Sequence, residues 1–241
     1  FVSPIVYVVG GVFLLAFGLL AESLVTAIGA YAIQMMQMQG GPAQINLNEL
    51  VFRNLFSGSR LILLLILPIL SMRLFSEERK LRTFELLLTS PVRISELIAG
   101  KFISVCLIYF GMLTLTGIVP LVLALFSDFN WYPVLTGYLA LAFLGSLFLA
   151  TGTFASALSE NQIVSALLGV GILFVFWLLG FLGSLLGDTT MGHIMSAISF
   201  MEHYDRLVSG LIDTSDLLYF ASGLALMLFL THQVVDSARW K

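Results

Sequence analysis

The sequence predicts an all-α membrane protein with six transmembrane helices, both termini cytoplasmic, and a short interfacial helix between spans two and three. Three observations carry that expectation. Only 10% of the 241 residues are charged and 59% are hydrophobic, with a mean hydropathy of +1.02. A soluble domain carries about a quarter charged residues, so lipid must solvate most of this chain. Six apolar runs approach or exceed the ~20 residues that cross a hydrocarbon core. The Lys and Arg residues fall mostly between alternate spans, which fixes orientation by the positive-inside rule.

The first span is expected at 5–26, continuing toward Ile33, and a polar loop follows at 34–56. Span two is read at 58–75, "GSRLILLLILPILSMRLF", with Pro68 expected to kink it. The charged segment 76–101 holds five of the eleven Lys and Arg residues. Span three is expected at 102–126, with a second kinking proline at Pro120, and "SDFNWY" turns the chain into span four at 133–158. "SENQ" turns it again into span five at 163–186. A mildly polar stretch, 187–216, precedes span six at 217–235. The whole chain, 1–241, reads as one transmembrane domain. With 76–101 in the cytoplasm, that side carries Arg73, Arg79, Lys80, Arg82, Arg93, Lys101, Arg239 and Lys241, eight of the eleven cations. Trp131 and Tyr132 at one face and Trp240 at the other suit interfacial anchors.

On a helical wheel through the charged segment, Leu81, Phe84, Leu87 and Leu88 share one face. Glu78, Arg79, Arg82, Thr83 and Glu85 share the other. Ser76 is positioned as the N-cap, Glu77 and Glu78 suit the positive end of the dipole, and Pro91 stops the helix at Ser90. The expectation is a helix lying flat at the interface. A plain lipid anchor would be mostly basic, whereas a face of both signs suits a protein partner.

The run "EERKLRTFELLLTSPV", followed by "GK" and a transmembrane span, resembles the signature of ABC-2-type transporter permeases. "HYDRLVSGLIDTSDLLYF", before the last span, is similar to the gliding-motility and uncharacterised efflux branch of that family. The resemblance implies that the segment is a coupling helix docking into a separate ABC ATPase subunit through Glu77, Glu78, Arg79, Arg82, Thr83, Glu85, Thr89 and Ser90. It implies a second permease copy or a related permease, export of, or mechanical work on, a lipid-like or envelope substrate, a bacterial inner membrane, and room for an accessory envelope protein. Family members often carry Gly just before the T-x-E element, where this chain has Arg82. An Arg lacks that backbone freedom and would instead supply a charged contact.

No cofactor is expected on this chain. Gly100-Lys101 is followed by Phe102 and belongs to no G-x-x-x-x-G-K-[ST] loop, so ATP and Mg would bind the partner ATPase. No Ser/His/Asp or Cys/His arrangement stands in a catalytic context. Lone Cys106 reads as a small buried hydrophobe. His193, Glu202, His203 and Asp205 lack metal-ligand spacing. With Asp188, Asp213 and Asp216, those acids read as solvating a loop whose "IMSAISF" dips into the interface. Glu22, inside the first apolar run, is the one intramembrane polar candidate, or else an outer-interface residue. Gly183 with Gly187, Gly152 with Ser156, and Ser146 with Ala150 permit close helix packing. A net charge of −3 without a basic patch excludes nucleic acid as a natural partner. An ATPase-independent polytopic protein, either a secondary transporter or a scaffold, stays open on the residues alone.

Overall fold

A computed structural model describes residues 4–39, 48–83, 93–126 and 129–237. Among them there is no strand, and six helical stretches are long and apolar enough to cross a membrane. Span one is α1 (Pro4–Gln39). Span two follows a π-helical turn (Asn48–Arg53) and consists of α2 (Asn54–Ser71) and α3 (Arg73–Lys80). Span three is α4 (Ile94–Thr116) with α5 (Ile118–Ala124). Spans four and five are α6 (Trp131–Leu158) and α7 (Gln162–Leu186). A hairpin of α8 (Thr190–Ile198) and α9 (Phe200–Val208) leads to span six, α10 (Thr214–Ser237).

Span four is the spine of the bundle. Its apolar window is 72% buried, against 22% for spans five and six, because neighbours pack around it on several sides. Small residues along α6 make this possible. A Cβ at Gly137 would overlap the Phe56 ring, and one at Gly145 would overlap the Tyr109 ring. Tyr109 is fully buried, and its hydroxyl donates to the Leu141 carbonyl at 2.7 Å. Deep in a membrane, a phenol needs such a partner. The Gly152/Ser156 pair packs within the chain: a Cβ at Gly152 would overlap the Ser71 hydroxyl and lie 3.2 Å from the Pro68 Cα. Gly183 likewise serves the α7–α8 contact, where a Cβ would lie 2.9 Å from the Ser196 nitrogen.

Span two breaks at Met72, one turn after Pro68, and the cause is a side chain inserted from span four. The Ser156 hydroxyl donates to the Met72 carbonyl at 2.7 Å. It accepts from the backbone N–H groups of Phe75 at 2.9 Å and Ser76 at 3.2 Å. One donor and two lone pairs are thereby all used. A side chain entering the i→i−4 ladder is a standard origin of a kink. Ser76 therefore does not cap a new helix. It is buried inside α3, and its own hydroxyl donates to the Met72 carbonyl. Span three breaks at Gly117, where the Gly117 N–H donates to the Thr114 carbonyl at 3.1 Å, three residues before Pro120.

Filling the Gly152 notch is expected to lower stability. Gly152→Ala should cost about 1–3 kcal/mol by overpacking. Gly171→Ala, which meets no atom within 4 Å, should be neutral or stabilising by up to about 1 kcal/mol. Thermal melts of both variants in one detergent check the contrast.

Candidate functional site

The end of the bundle that holds the charged segment is built on α3 and the first turns of α4. Lys101 reaches from α4 to α3, where its Nζ donates to the Leu74 carbonyl at 2.6 Å and to Glu78 Oε1 at 2.5 Å. It also lies 5.1 Å from the centre of the Phe75 ring. Arg73 grips Glu77 one turn on through two bonds, Nε to Oε2 at 2.9 Å and Nη2 to Oε1 at 2.6 Å. Such bidentate, charge-assisted pairs hold geometry well. Glu77 and Glu78, expected as docking residues, are thus tied down inside the chain, and Arg79 is half-buried beside them in the field of Glu160.

The helix here is not the separate one that a Ser76 cap would start. It runs on from span two and stops at Lys80. The Arg82 N–H donates to the Arg79 carbonyl at 3.1 Å, and the Thr83 N–H donates to the Glu78 carbonyl at 3.0 Å. That is the Schellman pattern, whose C′ residue is left-handed and usually Gly. Arg82 occupies it with φ +55°, the one non-glycine positive φ among the described residues. Lys80, Leu81, Arg82 and Thr83 form an exposed tip, and Leu81, assigned to the apolar face, is 64% exposed there. Glu85, Thr89 and Ser90, with the rest of the expected flat helix, lie outside the described residues.

The opposite end is polar in a different way. Asp216 is fully buried, which corrects its reading as a solvating loop residue. The single Arg206 Nε–H is shared between the two Asp216 carboxylate oxygens, 3.1 Å from each, and Arg206 Nη2 donates a further bond to Oδ1. His203 Nδ1 lies 2.7 Å from Asp216 Oδ1, and the His203 ring stacks on Tyr219 at 4.1 Å. Hydrogen bonding to Asp216 raises the Arg206 pKa above its ordinary value. Arg206 also pairs with Glu202 at 3.1 Å, and Arg60 of span two pairs with Asp205 at 3.0 Å. The Tyr204 hydroxyl donates to the Phe56 carbonyl at 2.8 Å. These acids knit the α8–α9 hairpin to spans two and six. No group of three or more potential metal ligands occurs among the described residues. Glu22 is exposed on α1, half a turn beyond Leu20, which covers Gly58 at this end of span two.

Sequence reasoning missed Lys101 and Ser156 as functional contacts. Lys101 carried a signal, as an isolated cation at the mouth of an apolar run. Ser156 carried one only as a small residue.

Relieving the left-handed strain is expected to stabilise the tip. Arg82→Gly should gain about 1 kcal/mol, the order of the αL penalty on an L-residue, and Arg82→Val should lose stability. Thermal unfolding in detergent measures both.

Comparison with protein families matches residues 3–180 to the family described as ABC-2 family transporter protein. A comparison with curated proteins gives no match. The matched region takes in the first four spans, both halves of the kinked span two and most of span five. With well over half of its 241 residues matched, six membrane-competent helices and a charged tip at one end, the chain belongs to the ABC-2 transporter family, as a multi-pass permease of an ABC-type transporter.

Proposed function

We propose that this permease converts ATP hydrolysis on a separate ABC ATPase subunit into export of, or mechanical work on, a lipid-like or envelope substrate. In this reading the tip at Lys80–Thr83, with Glu85, Thr89 and Ser90 beyond it, meets the ATPase. That end and both termini face the cytoplasm of a bacterial inner membrane. A second copy or a related permease completes the translocation path.

The observation that carries the reading is the mechanical continuity of the tip. Through α3 it is joined to span two, through Ser156 to span four and through Lys101 to span three. A push on the exposed tip is passed to three spans without first breaking a soft joint. Rigid elements with tight couplings are what transmit a partner's closure. The tip's two cations, Lys80 and Arg82, are exposed, whereas Glu77 and Glu78 are paired internally. The docking face is therefore more basic than the sequence alone indicates. An ATPase-independent secondary transporter would place charges at mid-membrane. Here the ion pairs among the described residues gather at the two ends of the bundle.

Charge reversal at the tip tests this. Lys80→Glu combined with Arg82→Glu should reduce co-purification of the ATPase subunit by about tenfold or more, since interface charges govern encounter and register. The melting temperature of the permease should stay near wild type. The reading fails if wild type retains no nucleotide-binding subunit under conditions that preserve its fold, or if the variant retains as much as wild type.

A further inference from the structure

Buried hydroxyls in spans two and four mostly bond within their own helix. Ser59 donates to Leu55, Ser71 to Leu67, Thr151 to Leu147 and Thr153 to Leu149, each one turn back. Ser156 is the exception. It donates across to Met72 and accepts from Phe75 and Ser76. A hydroxyl kept only for packing has no need of that reach, because the carbonyl one turn back satisfies a helical serine.

Removing this hydroxyl has a directed consequence. Phe75 is fully buried, and Ile94, Ile98, Ala157 and Val235 surround it without offering a polar side chain. The acceptor then left to the Phe75 N–H is the Ser71 carbonyl, four residues back in the same helix. Taking it closes the turn that Ser156 holds open and straightens span two. The helix beyond the break, α3, is eight residues long, an arm of about 12 Å. A kink of about 20°, where bends count as sharp, moves the end of such an arm by about 4 Å. That exceeds the length of a hydrogen bond, so contacts made at the tip lose their register. We propose that Ser156 is a positioning residue for ATPase docking: its hydroxyl sets the angle of α3 and so aims the Lys80–Thr83 tip at the partner. The inference rests on the ATPase contact proposed for that tip, since Ser156 itself is fully buried and acts only through it.

Two substitutions separate aim from packing. Ser156→Ala removes the bridging hydroxyl, whereas Ser71→Ala removes an equally buried one that bonds only to Leu67 and Pro68 of its own helix. In a Cys106→Ser background, a cysteine at Lys80 is paired with one at Tyr7 or at Ser237, both exposed, on spans one and six. Spin labels on each pair report the tip position in the permease alone by pulsed electron paramagnetic resonance. Ser156→Ala should shift at least one of the two distances by about 4 Å, and Ser71→Ala neither. With Lys80 and Arg82 intact, Ser156→Ala should also lower co-purification of the ATPase subunit by about tenfold, the effect expected of charge reversal at the tip. Ser71→Ala should retain the subunit, and both variants should melt within a few degrees of wild type. Ser156→Gly, which also lacks the hydroxyl, should act as Ser156→Ala does. Unchanged distances in folded Ser156→Ala and Ser156→Gly overturn the proposal. So does full ATPase retention by both, or an equal loss in Ser71→Ala. A wild type that retains no ATPase subunit defeats the ATPase reading, and the docking role with it, even where the distances shift.

Discussion

The insertion of the Ser156 hydroxyl into the backbone ladder of span two is the contact on which the rest of the arrangement depends. Pro68 removes one donor from that span and weakens the helix there. In hydrocarbon a broken ladder is costly unless each freed group finds a partner. One hydroxyl serves three backbone groups at once, those of Met72, Phe75 and Ser76. That requires span four to approach within touching distance. The Gly152 notch over Ser71 and Pro68 provides the approach, with Gly169 of span five closing on Pro68 from another side. The bend is therefore a fixed feature of the packing.

Span two consequently carries polar attachments at both ends. Near its start, the Phe56 carbonyl accepts from Tyr204 and Arg60 holds Asp205. Near its end, Leu74 and Glu78 receive Lys101. The two ends spend their charges differently. Around the α8–α9 hairpin, charge is turned inward onto the buried Asp216 and consolidates structure. At the other end, internal pairs fix Glu77 and Glu78 and leave Lys80 and Arg82 outward. A fixed end opposite a presenting end is a sensible layout for a permease driven from one side of the membrane.

Much of the fold was legible because lipid imposes simple rules. Six apolar runs predicted six spans, and small-residue spacing predicted the close approach at Gly152 and Ser156. The misreadings share a cause. Ser76 followed by two glutamates looks like a helix start, yet the helix was already running from span two. Only a serine eighty residues away explains the local break. Asp216 sits in an acidic string that reads as solvated loop, and its burial depends on Arg206 folding back over it. Arg82 stands where the family resemblance often places Gly, and the left-handed backbone there gives that difference a physical meaning. The hairpin positions were the least legible, since short amphipathic helices between spans leave a weak periodic signal.

The central claim is that the α3 tip is where ATPase force enters. Site-directed cross-linking tests it most directly. In a Cys106→Ser background, single cysteines are placed at Arg82 and at Trp131, on opposite ends of the bundle, and are labelled with a thiol-reactive benzophenone; membranes with the co-expressed ATPase are then irradiated, so that the ketone inserts into a neighbouring C–H bond. The account predicts a permease–ATPase adduct from position 82 and none from position 131. An adduct from 131, or none from 82 in membranes where the ATPase remains bound, would contradict it.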